Sequence, residues 1–164
     1  MRTGVFTRLG LALVTSLTLG CAGKAGSRTE ARIIKVLPCL LDAEGRASLH
    51  PSLYERDAYQ ALLRRESGRV GGLRFDILWR ASRVVGAPSL VLKLEMRGSS
   101  RDPGSKAGDV VEVVRPVPAS YAGRSWSQVV LGPDEFRRVG EVSAWKATLL
   151  RGEEVVASSQ SFLW

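Results

Sequence analysis

Two stretches of the chain alternate between apolar and polar residues with a period of two. In "GLRFDILWR", Leu73, Phe75, Ile77 and Trp79 share one face and Arg74, Asp76 and Arg80 the other. In "SLVLKLEMR", Leu90, Leu92, Leu94 and Met96 oppose Lys93, Glu95 and Arg97 in the same way. Such alternation predicts strands with one buried face. The link "ASRVVGAP" carries Gly86 and Pro88, so the two strands are expected to lie side by side and antiparallel. "RIIKVLP" reads as an opening strand whose regular pairing ends at Pro38. "VVEVVRPV" is β-branched and interrupted by Pro116 and Pro118, which places it at a sheet edge. "RSWSQVVLG" adds a short strand. The last segment, from Glu141, predicts a hairpin turning at Arg151–Glu154. Trp145, Ala147 and Leu149 form one of its inward rows, and Phe162 and Trp164 are expected to cap another.

Only one segment has a helical period. In "PSLYERDAYQALLRRESG", Ser52 is a candidate N-cap with Glu55 at the capping-box spacing. Leu53, Ala58, Ala61 and Leu62 can share an apolar face flanked by Tyr54 and Tyr59. Arg64 and Arg65 suit the negative end of the helix dipole, and Gly68 can close the helix. The loops "LDAEGRASLHPS" and 98–109 are rich in turn residues. About seven strands, one short helix after the first strand and no βαβ alternation predict a mainly β fold. The architecture is similar to antiparallel β-sandwiches of the immunoglobulin and fibronectin type III kind, without a Cys–Trp–Cys signature.

The chain opens differently. Arg2 and Arg8 precede the uncharged run Leu9–Leu19, followed by Gly20 and Cys21, which is the layout of an export signal. The run is shorter than the roughly 20 apolar residues needed to span a bilayer. Leu17-Thr18-Leu19-Gly20-Cys21 resembles the lipobox of bacterial lipoprotein precursors. That resemblance implies cleavage after Gly20 and lipid on Cys21, and Ala22 in the next position implies the outer membrane of a cell that has one. Residues 1–20 are then a signal peptide, 21–31 a lipidated flexible tether and 32–164 a single domain. Two or more acyl chains make a stable anchor to the membrane.

Without residues 1–20 the 164-residue chain keeps 144 residues, enough for one core without a metal or disulfide staple. Formal charge falls from +8 to +6 as Arg2 and Arg8 leave. A basic surface could favour anionic lipid headgroups, other acidic envelope polymers or an acidic partner, but apart from Arg64-Arg65 and Arg137-Arg138 the basic residues are dispersed, which fits solvated charge; an exported, tethered protein is not expected to meet nucleic acid. Cys39 is left alone in "VLPCLLD", which reads as a small buried hydrophobe.

Catalytic chemistry has little to draw on. His50 is the single histidine, with Asp42, Ser48 and Ser52 nearby in sequence; Gly-x-Ser-x-Gly and Cys-x-x-Cys patterns are absent. No metal or cofactor is therefore expected. Trp79 and Trp145 fall on apolar rows, whereas Trp126 is a candidate platform for sugar stacking. The aromatic C-terminus raises the outer-membrane barrel, but the helix and the proline-broken strands favour a buried final strand. The expectation is a lipid-anchored envelope protein with a non-catalytic binding or assembly role. A carbohydrate-binding module is the alternative, followed by a hydrolase using His50. Tyr54, Arg56, Tyr59 and Arg64 on the helix, or the proline-marked edge, are the candidate partner surface.

Overall fold

A computed structural model describes residues 31–82, 86–99, 109–117 and 123–164. The apolar leader, Cys21, the tether up to residue 30 and most of the 98–109 loop lie outside the described residues. Among the described residues, seven antiparallel strands form two sheets: β1 (Arg32–Asp42), β2 (Val70–Ala81), β3 (Leu90–Gly98), β4 (Val110–Pro116), β5 (Gly123–Leu131), β6 (Val142–Arg151) and β7 (Glu154–Gln160). Helix α1 (Leu53–Arg65) follows β1, and a second helix, α2 (Pro133–Val139), follows β5. One sheet has the order β1-β2-β5 and the other β4-β3-β6-β7. This is an immunoglobulin-like sandwich in which the fourth strand pairs with the third instead of joining the first sheet, the place of strand C′ in variable domains.

The alternating rows are the core. Phe75, Ile77 and Trp79 of β2 face Leu90, Leu92, Leu94 and Met96 of β3, all fully buried, and Ala147 and Leu149 join from β6. Strands β2 and β3 are not neighbours, contrary to the expectation from their short link. They belong to different sheets, and the physical reason is the rows themselves. Side by side, both rows would lie on one face and need a third layer to cover them; facing each other, they bury each other.

Pro38 does not end β1 either, since it pairs with Phe75 in mid-strand. Leu40, two residues on, turns its N–H and C=O away from β2 toward α1. Pro38 shares that direction, so its missing donor removes nothing from the ladder. Strand β4 is an edge, as Pro116 requires. The β6–β7 turn has Gly152 at φ 62° in the first of its two loop positions, where a type II′ turn demands a positive φ.

The helix departs from its expected face. Tyr59, Gln60 and Leu63 are its buried residues, whereas Leu53, Ala58 and Ala61 are exposed. Ser52 makes no side-chain cap bond, and Glu55 pairs with His50 instead of closing a capping box. Gly68 falls in a 3-10 turn after the helix end rather than closing it. Helix α2 was not expected, although Gly132-Pro133, Asp134 and Glu135 at its start and Arg137, Arg138 and Gly140 at its end are standard boundary residues. Phe162 is fully exposed and does not cap an inward row; Trp164 lies 4.6 Å from the Arg97 guanidinium instead. Among the described residues no helix is long and apolar enough to cross a membrane.

Candidate functional site

The two helices sit at the same end of the sandwich, opposite the end where β1 begins. The end of β1 runs into the loop before α1, whose entry is set by one carboxylate. Asp42 Oδ1 accepts from Arg46 N (2.8 Å) and Glu44 N (3.0 Å), and Oδ2 from Tyr59 Oη (2.7 Å) and Arg46 Nε (2.9 Å). Burial pushes its pKa up, but the bonds from the Arg46 backbone, the Tyr59 hydroxyl and the Arg46 guanidinium outweigh it and hold Asp42 well below the usual carboxylate range. The same bond to Asp42, then burial, raises the Tyr59 phenol. Gln60 completes the attachment. Its amide accepts from Leu40 N (2.8 Å) and donates to Leu40 O (2.9 Å) and Ala47 O (2.7 Å), satisfying the free edge of β1 as another strand would.

This docking leaves a cleft of about 480 Å³ between α1, α2 and the ends of β1, β2 and β6. Leu40, Leu63, Leu73, Phe136, Val142 and Trp145 make it apolar inside, and Arg64, Arg137, Glu141 and the hydroxyl residues Ser67 and Ser143 stand around it. Arg64 is exposed and makes no ion pair among the described residues; Arg137 bonds to Asp134. Gly98 lets α2 close this end, because a Cβ there would run into the Val139 carbonyl. An apolar hollow of this size with a few polar groups around it has the dimensions of a ligand or side-chain pocket.

The sequence candidates are scattered around this end. Tyr54 is 83% exposed, while Tyr59 is buried against Asp42 and cannot face a partner, so the four helix residues do not form one surface. Arg56 and Arg64 both border a second hollow, with Cys39, Gln60, Arg74 and Asp76. Burial first, then the Asp76 carboxylate, pushes the Cys39 thiol up against the pull of Arg74, Arg56 and Arg64, so the thiolate is disfavoured. His50 lies in an exposed loop with Nδ1 2.8 Å from Glu55 Oε2. Ser48 Oγ donates to the His50 backbone carbonyl (2.6 Å) rather than to the ring, and Asp42 is committed to Arg46 and Tyr59. These residues do not assemble a nucleophile, base and orienting acid. No cluster of metal-ligating side chains occurs among the described residues. Trp126 is 53% exposed on the outer face of β5, whereas Trp79 is wholly buried and donates to Ser127 Oγ (2.9 Å).

No protein-family model matches this chain, and neither a curated protein nor a solved structure matches it. The cleft itself was missed in sequence because it is built from the ends of five elements. Its nearest sequence signal was "GPDEFRRVG", the unread helix that supplies Phe136 and Arg137.

Proposed function

We propose that the chain is a lipid-anchored envelope protein, held through Cys21, whose domain works by binding rather than by chemistry. Its role in this reading is to hold a partner in a membrane-associated complex. The observation that carries the binding role is the cleft between α1 and α2, apolar inside and bordered by Arg64 and Arg137. By their likeness, small sandwich lipoproteins of secretion and transport machineries lend the assembly role support at the level of architecture and location. The partner's contribution is an apolar side chain or short segment with an acidic neighbour to meet Arg64.

A photo-crosslinking residue at Ser143, beside the cleft, tests this in intact membranes. One reproducible envelope adduct, lost in Arg64→Glu while the fold is retained, is the expected result. The same adducts from a probe at Val114 on the far edge strand, or none at all from well-expressed protein, would overturn it. The exposed Trp126 ring favours a second reading, the carbohydrate-binding module. That reading requires binding to purified envelope polysaccharide that disappears in Trp126→Ala.

A further inference from the structure

Helix α1 carries apolar residues on two faces and buries one of them. Tyr59, Gln60 and Leu63 dock it onto the sandwich, while the face selected by the hydrophobic pattern turns the other way. On that outer face Leu53 is 67% exposed, Ala58 and Ala61 are exposed, and Leu62 is half-buried. Tyr54 stands among them, and Leu49 in the preceding loop is also exposed. Leu49, His50, Glu55, Ala58, Tyr59 and Leu62 line a hollow of about 380 Å³ along this side. The chain that adjoins α1, from β1 through to β2, lies wholly within the described residues. A helix that docks through a tyrosine and a glutamine and keeps an apolar stripe in water presents that stripe to another surface.

The order of residues along the stripe identifies that surface. At about 3.6 residues per turn, Tyr54, Ala58, Ala61 and Arg65 fall on one line, directly opposite the docked face. Their spacing of four, three and four is that by which one helix lines another, and it is symmetric under reversal of the helix. A second α1 laid antiparallel therefore sets the partner's Ala61 on Ala58 and the partner's Arg65 on Tyr54. The alanines at the centre let the axes approach to about 8 Å. At each outer end the guanidinium meets a tyrosine ring, a cation–π pair formed twice. On one flank Asp57 comes within a turn of the partner's Arg64. Both are exposed; Arg64 makes no ion pair among the described residues, and the pair of Asp57 with Arg56 is long, at 3.6 Å. A parallel arrangement would instead set Asp57 beside Asp57 and Arg64 beside Arg64.

We propose that the outer face of α1 is a two-fold interface between two copies of this chain, antiparallel and centred on Ala58 and Ala61. With 13 residues the helix is about 20 Å long. One such face is smaller than the roughly 800 Å² a side of a standard interface, so the pair is transient and forms at high local concentration. The cleft opens on the side of Leu63, away from this seam, so a dimer keeps two open clefts. The pairing depends neither on the anchor nor on what the cleft binds.

The test uses the full chain in cells that produce two differently tagged copies, both with Cys39→Ser. Ala58→Cys in one copy and Ala61→Cys in the other are expected to give, on mild oxidation, a disulfide that peptide mapping places between the two substituted positions. Val114→Cys on the β4 edge, in place of Ala61→Cys, is expected to give none. Asp57→Arg sets a second cation against the partner's Arg64, and Arg65→Glu removes the cation that meets Tyr54. Each is expected to cut the crosslink at least about five-fold in folded protein, whereas Tyr54→Phe, which keeps the ring, retains it. No crosslink from well-expressed, folded protein overturns the proposal. So does one that forms equally with Val114→Cys, or one that both charge variants leave unchanged. Crosslinking of these positions to a different protein instead of the tagged copy also overturns it, in favour of an unlike partner.

Discussion

At the scale of single residues, the decisive group is Asp42, a nearly inaccessible carboxylate that accepts four hydrogen bonds. Its depressed pKa ties stability to pH in a definite direction. The folded-state value lies below the unfolded one of about 3.9, so the stabilisation is complete above that pH and is lost as the pH falls toward the folded value. Asp42→Asn turns an amide N–H toward donors that cannot reverse, the Arg46 Nε–H or the backbone N–H groups of Glu44 and Arg46. It is expected to cost about 2–4 kcal/mol at neutral pH. Chemical denaturation at pH 7 and pH 3 checks both halves: the loss shrinks in acid, because the native carboxylate is then losing its own advantage. Tyr59→Phe is expected to lower Tm in the same direction and by less, since the backbone donors to Asp42 remain. None of this was legible in "LLDAEGRASLHPS", where Asp42 looked like a turn residue or a partner for His50. A buried acid is recognised by what surrounds it, and its donors Arg46 and Tyr59 are contributed by a loop and a helix.

At the scale of elements, patterning was reliable wherever one face of a strand meets only apolar neighbours. The rows of β2, β3 and β6 stand where the alternation put them, and the proline-marked strand is an edge. It failed where an element docks through polar groups. Helix α1 turns Tyr59 and Gln60 inward with Leu63, and no hydrophobic pattern selects a tyrosine and a glutamine as an inner face. The Gln60 amide is matched to the exposed backbone of β1, so Gln60→Leu leaves the Leu40 N–H and two carbonyls without partners. A loss of about 2–3 kcal/mol is expected. The uncovered edge should also associate, and light scattering at constant ionic strength would rise with concentration beyond a dimer in the variant and not in the wild type. Helix α2 fails differently when disturbed. Gly98→Ala forces β3 and the Val139 carbonyl apart, so the helix should detach before the sandwich unfolds, and hydrogen exchange would show faster exchange in residues 133–139 with β3 still protected.

At the scale of the molecule, the two ends of the sandwich are chemically different. One carries the chain entry, the register row of Arg32, Arg80 and Arg124, and Trp126; the other carries both helices and the cleft. Strand β1 runs between them, and from Arg32 to Leu40 it covers about 26 Å at strand spacing. Sequence alone pointed to a tether joined to a sandwich. It did not show this polarity, because the arginines are 44 or more residues apart along the chain and meet only through strand register. If, as the proposed anchor would have it, the end where β1 begins is held to headgroups, the cleft stands off the bilayer by about the length of a strand, facing whatever lies beyond the membrane surface. Energy transfer to an acceptor lipid measures this on vesicles with Cys39 replaced by serine. A dye at Glu141→Cys, beside the cleft, should transfer more weakly than one at Glu154→Cys, at the start of β7 near the end where β1 begins. Equal transfer from both would mean a domain that tumbles freely on its tether, and the reverse order one that docks through its helices. Either result would move the partner site: a cleft pressed to the membrane can receive only a lipid or a membrane-embedded segment, whereas a raised one is open to a protein of the surrounding compartment.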